Sequence, residues 1–331
     1  MKQKVAIIGS GMAGCFMALC LSKKGYRVEV YEERNDIRKE KAGSGRSFNI
    51  TLYYRGIQAL KTVGLWTEIK KISVLAKGNY AHYADNRIVY DPYDSHDTEV
   101  LYTVHRNKLN GKLLDIVEKL PNVKIFFNNR LTHVDKKNKK IYLQNTLSKK
   151  IHSLSTDLVV GADGVNSKVR SEISSKSGIP EQESWGYKEV HVTANKARQM
   201  NLQPHATHTW PRRNSLLIAF PNPDSSHTLM INLPLKGEGS FRTLKTEKAI
   251  RQYIANNFEE LMPLLLEIVR SILNKPTGNF TTVRTTPWHY KDFIVLIGDA
   301  AHGVIPFYGQ GVCAALDDCL IIDKLLDESG D

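Results

Sequence analysis

The residues best suited to chemistry in this chain are glycines and acids placed at the ends of apolar runs. The first run, Val5 to Ile8, leads into Gly9-Ser10-Gly11-Met12-Ala13-Gly14, and a helix-like stretch from Phe16 to Lys24 follows. In a strand–turn–helix of this kind Gly9 permits the tight turn, and Gly11 lets the backbone approach a pyrophosphate. Gly14 lets the helix pack close on the strand. The helix N-terminus offers unpaired N–H groups and a partial positive charge to the phosphates. A second run, Tyr26 to Tyr31, ends at Glu32. An acid there bonds the adenosine ribose hydroxyls and disfavours a 2′-phosphate, so the implied ligand is FAD or NAD rather than NADP. Arg34, two residues on, joins the candidate cofactor contacts. An ordinary glycine-rich turn accounts for neither the flanking strand and helix nor the acid in register.

Two later stretches repeat the pattern. Asp157-Leu158-Val159-Val160 runs into Gly161-Ala162-Asp163-Gly164, followed by Asn166, Ser167 and Arg170. Asp163 reads either as a plain turn residue or as one that orients a cofactor phosphate through its backbone. Phe293 to Ile297 ends in Gly298-Asp299, and Pro306-Phe307-Tyr308-Gly309-Gln310-Gly311 then opens an amphipathic helix from Val312 to Leu326. Gly309 to Ala314 matches G-x-G-x-x-A in form but follows a proline loop, so a second dinucleotide fold is not expected. The bare-glycine helix start still favours a nearby anion. His302 reads as a satisfied structural histidine rather than a catalytic base, since no paired acid and nucleophile accompany it in the sequence. Arg46, between Gly45 and Ser47, reads as a surface arginine or as a phosphate or flavin contact.

The elements that must position these residues alternate strand and helix at both ends of the chain. Helices are expected near Tyr53 to Val63, near Glu247 to Asn257 and near Leu261 to Leu273, and Tyr102 to Leu109 leads into another that reaches Leu120. Between Tyr187 and Leu235, short β-type runs separated by turns predict an antiparallel sheet: Lys188 to Thr193, Ala206 to Trp210, Ser215 to Phe220 and Thr228 to Leu233. Segments near Gly78 to Tyr83 and Arg87 to Tyr90, with a turn at Asp85-Asn86, alternate like strands with one exposed face. A hairpin is expected around Lys136 to Lys140.

With 331 residues and 41% apolar content the chain should fold as one large or two smaller domains. Its 46 Lys and Arg against 34 Asp and Glu leave a net charge of +12, but the lysines fall in short clusters typical of solvated surface. No nucleic-acid motif is present, so no nucleic-acid partner is expected. Cys15, Cys20, Cys313 and Cys319 have no zinc spacing, which leaves free buried thiols in a reducing cytosol and no metal site. Met1 to Cys20 superficially resembles a signal segment, yet only the nucleotide reading explains its glycines and Glu32.

Together the three glycine stretches, in this order, resemble the flavoprotein aromatic-ring hydroxylases, and the resemblance runs along almost the whole chain. Gly45 to Asn49, Gly186 to Glu189, His208 to Pro211 and Ala219 to Asn222 are similar to local signatures of the members that hydroxylate kynurenine. The resemblance implies an α/β fold: an FAD-binding, Rossmann-like domain of the glutathione-reductase type with an inserted antiparallel-sheet substrate domain. Residues 1–72, 98–178 and 283–331 would form the first, and 73–97 with 179–282 the second. Gly9, Gly11, Gly14 and Glu32 would hold the ADP half of a non-covalent FAD, and Arg106 and Asp163 would contact or position the cofactor. Asp299 would bond its ribityl or pyrophosphate region. The helix after Gly309 and Gly311 would aim its positive end at the flavin pyrimidine. Pro306 and Phe307 would lie beside the isoalloxazine and the substrate, and Tyr93 would touch the substrate carboxylate.

The implied chemistry is ring hydroxylation of a small aromatic substrate with NAD(P)H, NADPH by the family pattern, and O2, by way of an oxygen adduct at flavin C4a. L-Kynurenine or a close analogue is the expected substrate. Two other readings stand beside it: a hydroxylase of another aromatic acid or a polyprenyl ring, and a flavin-binding remnant without hydroxylase activity. Two departures matter. The family's carboxylate-binding arginine aligns with Asn79, which lacks the charge, and Lys77 is the nearest replacement cation. Family members also continue past the position matching Asp331 with helices that cap the pocket and, in many, contact the membrane. Membrane contact is therefore expected only through such a part.

Overall fold

A computed structural model describes residues 3–39, 48–93, 101–173 and 178–328. Lys4–Ile8 is the centre of a six-stranded sheet. From one edge the order is His289–Tyr290, Ile294–Leu296, Leu158–Gly161, Lys4–Ile8, Arg27–Tyr31 and Val123–Phe126, and all neighbours but the first pair are parallel. Parallel strands must be covered on both faces, which is why the central runs Val5 to Ile8, Leu158 to Val160 and Ile294 to Leu296 are continuously apolar. Helices Met12–Lys23, Arg106–Val117 and Gly311–Glu328 cover one face through Phe16, Leu19, Leu109, Leu113, Leu316 and Cys319. The other face is closed by an antiparallel meander, Asn129–Asp135, Lys140–Asn145 and Ile151–Ser155, whose Leu131, Val134, Ile141 and Leu143 pack on Ala6 and Ile8. All four cysteines are free and buried.

A seven-stranded sheet stands beside this layer, in the order Gly278–Thr282, Glu181–Val192, His227–Pro234, Ser215–Pro221, Thr207–Arg212, Gly78–His82 and Ile88–Pro92. Side chains alternate across it. Val190, Val192, Trp210, Leu217, Leu229 and Ile231 point to one face, under helices Glu247–Asn257 and Leu265–Asn274. The opposite face presents Tyr187, Met230 and Phe280 as a small separate cluster. A separate three-stranded sheet, Asn49–Leu52, Leu101–His105 and Ser73–Ala76, is tied to the large sheet by Asn49 and Thr103. The Asn49 Nδ2 group donates to the Pro221 carbonyl and to Asn222 Oδ1, and Thr103 Oγ1 donates to the same Pro221 carbonyl at 2.7 Å.

Several elements differ from the sequence reading. The segment before helix Tyr54–Thr62, for which the sequence reading names no element, is a buried strand, Asn49–Leu52, paired with Leu101–His105, which in turn pairs with Ser73–Ala76. Four residues are too few to display a period of two. The meander gains a third strand at Ile151–Ser155, and the strand expected to start at Lys188 begins at Glu181. The helix expected from Leu261 starts as a 3-10 turn, Glu259–Leu264, and becomes α-helical at Leu265. Pro263 disfavours the α conformation at the preceding Met262, which keeps the α-helix from starting earlier. Among the described residues no helix is long and apolar enough to cross a membrane.

The helix-covered face of the large sheet carries a buried histidine group. His208 Nε2 accepts the Gln203 N–H at 2.8 Å, so its proton sits on Nδ1, which donates to His82 Nε2 at 3.0 Å. A second proton on His208 would confront the Gln203 amide. Burial drives the His208 pKa down to about 3, with His82 and His227 adding to the effect. Burial also lowers His82 and His227. The unfolded chain binds protons from about pH 6.5 downward and the folded chain resists them, so stability is complete above that value and is lost as pH falls. A melting temperature that drops from about pH 7 to about pH 5 is expected. His208→Phe should melt lower at neutral pH yet show a shallower decline; parallel declines would remove the histidines from the account.

Candidate active site

The parallel register brings the three glycine stretches together. Ile8 pairs with Gly161 and Gly161 with Leu296, so the turns that follow these strands lie side by side at their carboxyl ends, where ligands bind in open parallel sheets. The first turn is so tight that a Cβ on Gly9 would sit 2.4 Å from the Ala162 oxygen, and one on Gly14 would sit 2.0 Å from the Gly9 oxygen. Gly11 differs: nothing lies within 4 Å of the place its Cβ would occupy. The space in front of Gly11, at the start of helix Met12–Lys23, is the open cradle a pyrophosphate needs.

Glu32 is buried beside this cradle. Its Oε2 accepts the Ser10 N–H at 3.0 Å and the Ser10 hydroxyl at 3.1 Å, while Oε1 accepts the Arg34 N–H at 3.1 Å and Arg34 Nε at 2.8 Å. Burial raises its pKa, but the Arg34 guanidinium and the two backbone N–H groups outweigh that and hold it ionised below the usual range. Its acceptor sites are thus filled, and a ribose hydroxyl binds here only by replacing the Ser10 hydroxyl or the exposed Arg34 side chain. Close by, a cavity of about 330 Å³ is lined by Asn35, Asp36, Lys39, Phe127 and Asn128, with the Asn128 N–H bonded to the Arg34 carbonyl at 3.1 Å. The sequence reading did not single out these lining residues, since they come from two loops with no shared motif.

Asp163 turns away from the cleft. Its Oδ1 accepts the Ser167 hydroxyl, and Oδ2 accepts the Lys168 N–H at 2.7 Å and the Val169 N–H at 3.1 Å, capping helix Lys168–Ile173. Of contact and positioning, this geometry suits positioning. Buried Arg170 reinforces it by donating to the Val165 and Ala300 carbonyls, at 2.6 and 2.9 Å, which joins the second turn to the third.

Asp299 opens helix Asp299–His302 with its side chain exposed in the cleft and hydrogen-bonded to no described residue. The protein wall around its carboxylate pushes its pKa up, against the pull of Arg106 and then His302. Arg106 heads helix Arg106–Val117 with its guanidinium over the Phe48 ring. His302 has the partner acid that was not apparent in the sequence: Asp318 Oδ2 lies 2.6 Å from its Nε2. No local pattern announces a partner sixteen positions away on another helix. Arg46 lies outside the described residues.

Pro306 starts a 3-10 turn, Pro306–Tyr308, and Gly309 closes it in the left-handed region at φ +63°. Thr51 Oγ1 donates to the Gly309 carbonyl at 3.4 Å, and helix Gly311–Glu328 begins just beyond. Phe307 reaches the large sheet, its ring 5.2 Å from Phe280 and 5.8 Å from Trp185, edge to face with both. Phe48 meets Tyr187 in the same way at 5.4 Å. On the same sheet face, toward the other edge, Asn79 donates to Thr209 Oγ1 at 2.9 Å and accepts from Thr207 Oγ1 at 3.0 Å, and the Tyr93 hydroxyl bonds the Thr207 hydroxyl. Burial pushes the Tyr93 phenol up to about 12, so it stays protonated. The structure therefore joins Asn79 to Thr209 and, through Thr207, to Tyr93; the sequence reading gives neither threonine a role at the site, although Thr209 falls within the His208 to Pro211 signature.

The glycines separate two roles that one experiment reads. Gly14→Ala should overpack the turn and lower stability by about 1–3 kcal/mol or more, whereas Gly11→Val should fold normally and lose flavin. Thermal unfolding with the flavin absorbance of the purified variants checks both. A flavin-loaded Gly11→Val protein would show that the cradle is elsewhere.

The chain matches the family model described as FAD binding domain over residues 2–328. It is 38% identical to a kynurenine 3-monooxygenase of Legionella pneumophila (strain Corby), over 99% of this chain and 73% of that protein. To the kynurenine 3-monooxygenase of Salinispora arenicola (strain CNS-205) it is 36% identical, over 98% of this chain and 72% of that one. Among solved structures, the tetrameric form of 2-methyl-3-hydroxypyridine-5-carboxylic acid oxygenase aligns with a TM-score of 0.80 at 20% identity, covering 99% of this chain and 83% of that one. PqsL of P. aeruginosa in complex with 2-aminobenzoylacetate aligns at 0.77 and 18% identity, over 99% of this chain and 86% of that one. These two likenesses establish the shared fold. The open cradle at Gly11, the Asp299 carboxylate that no described residue hydrogen-bonds and the helix start at Gly311 fit FAD, and the chain belongs to the FAD-binding family of monooxygenases that includes the kynurenine 3-monooxygenases.

Proposed function

We propose that this protein hydroxylates an electron-rich aromatic ring, with NADPH as electron donor and O2 as oxidant, and that L-kynurenine or a close analogue is the substrate. The observation that carries this reading is the aromatic wall of Trp185, Tyr187 and Phe280 facing Phe307, next to the turn that starts the last helix. FAD, when bound and reduced, supplies the oxygen activation. The rest falls to the chain. Gly11 and the first helix N-terminus hold the pyrophosphate, Asp299 meets the ribityl side, and Glu32 takes the adenosine ribose beside the cavity at Asn35 and Phe127. Pro306 and Phe307 keep the ring against the cofactor, and the aromatic wall excludes water that would divert reduced flavin to hydrogen peroxide.

In this reading the six-stranded layer, from 1–72, 98–178 and 283–331, serves FAD, and the sheet drawn from 73–97 and 179–282 serves the substrate. The junction lies nearer Ala76, because Ser73–Ala76 pairs with Leu101–His105.

Asn79 weakens the recognition of a kynurenine carboxylate. Its amide bonds Thr207 and Thr209, and it brings no charge to a substrate carboxylate. A charge-assisted contact is worth roughly 1.5–3 kcal/mol, or about ten- to a hundred-fold in affinity. NADPH consumption by the purified protein, with L-kynurenine and with other aromatic acids, read together with the mass of the product, tests the function. Consumption stimulated by kynurenine, with one oxygen added to it, is the expected result. Stimulation only by another ring would move the assignment to that substrate, and flavin that no ring stimulates would sink hydroxylation. Asn79→Arg should tighten kynurenine binding by the factor given above. Unchanged affinity there, with loss in Lys77→Ala, would assign the charge to the lysine.

A further inference from the structure

Gly298 and Asp299 are held by a side chain from another element. Asp318, about two turns into the last helix, accepts the Gly298 N–H at 2.7 Å and faces His302 Nε2 at 2.6 Å, both through the same Oδ2 atom. Gly298 is left-handed at φ +57°, and a Cβ there would lie 3.1 Å from Ala315 and 3.3 Å from Ala13. The turn is thus wedged between the first and last helices, and Asp318 supplies its amide partner. The adjacent Asp317 points elsewhere, to Arg55. The charged groups around His302 are Asp318 and Asp299, with Arg106 acting on Asp299 and Arg170 engaged on the Ala300 carbonyl; the Trp288 ring lies 5.1 Å away.

We propose that Asp318 is a positioning residue for the cofactor: one carboxylate oxygen locks the Gly298 turn to the His302 imidazole, so that Asp299 and the start of the last helix are in place before FAD binds, and the His302 proton sets the local charge. This rests on the FAD reading above. With His302 protonated, the carboxylates of Asp299 and Asp318 are balanced by Arg106 and the imidazolium. Without that proton the turn carries one net negative charge facing a pyrophosphate that is itself anionic. The Asp318 hydrogen bond raises the His302 pKa above its ordinary value. The balanced state therefore extends to higher pH than a free histidine would allow and is lost as pH rises through the raised value. FAD affinity should fall over the same interval.

The test uses purified protein stripped of flavin and reloaded, with FAD affinity measured by fluorescence across pH, and His302 titration followed by NMR in the flavin-free protein. Wild type should lose about tenfold in affinity through the His302 transition. Asp318→Asn keeps an oxygen for the Gly298 N–H and leaves the turn neutral without the His302 proton, so it should bind FAD at high pH about as tightly as wild type does at low pH, with both the affinity inflection and the NMR titration moved to lower pH. His302→Gln, which keeps a neutral donor to Asp318, should flatten the pH profile while still binding FAD. Asp317→Asn should leave the inflection where it is in wild type. Superimposable profiles for wild type and Asp318→Asn, or an unmoved NMR titration, would overturn the proposal. Failure of wild type to take up FAD at any pH would overturn both it and the cofactor reading, whereas an NMR shift with normal FAD uptake but no pH dependence would overturn the positioning role alone.

Discussion

The site depends on the parallel register of three neighbouring strands. Because Ile8, Gly161 and Leu296 lie in one row, three turns that are far apart in the chain emerge at the same end of the same sheet. The contacts that keep them there are steric as much as polar. The Gly9 turn is pressed on the Ala162 carbonyl, the first helix is pressed on the Gly9 carbonyl through Gly14, and Arg170 links the second turn to the third. A one-residue slip of any strand would separate the glycines from the backbone groups they make room for.

The second sheet divides its labour by face. Under the helices it is packed with aliphatic side chains and a neutral histidine group, whose protons are fixed by the Gln203 amide. Toward the cofactor side it carries aromatic rings at one end and an uncharged hydrogen-bonded set at the other. Period-two alternation along each strand makes these two chemistries possible in one sheet. It also explains how polar Asn79, Thr207 and Thr209 lie next to buried His208 and Trp210 without sharing their environment.

The polar groups at the cofactor end differ in how they are committed. Glu32 and Asp163 have their oxygens filled by the chain itself, and so act first on the shape of the loops they hold. Gly11 and Asp299 are left open toward the cleft. The turns thus form a frame that is already hydrogen-bonded, with open space beside Gly11 and Asp299. That is the preorganisation which lets a binding site avoid ordering costs on association.

How much could be read from the sequence follows from the range of the interactions. The glycine turn at Gly9, the acid at Glu32 and the strand–helix sequence around them are local patterns, governed by backbone conformation and by periodicity over a few residues, and these were legible. So were the long antiparallel runs from Tyr187 onward, because alternation persists over several strands. Short or proline-interrupted elements, such as Asn49–Leu52 and Glu259–Leu264, carry too few residues to express a period. Pairings across elements had no sequence signal at all: Asp318 with His302, Arg170 with Ala300, and Asn79 with Thr207 and Thr209. Each joins residues whose proximity arises only when sheets and helices pack. The sequence by itself thus determined where the glycine turns fall and which sheet types form. The tertiary structure alone decided which acids are already satisfied and which remain open to a ligand, because hydrogen bonding between distant segments is settled by packing and not by local chemistry.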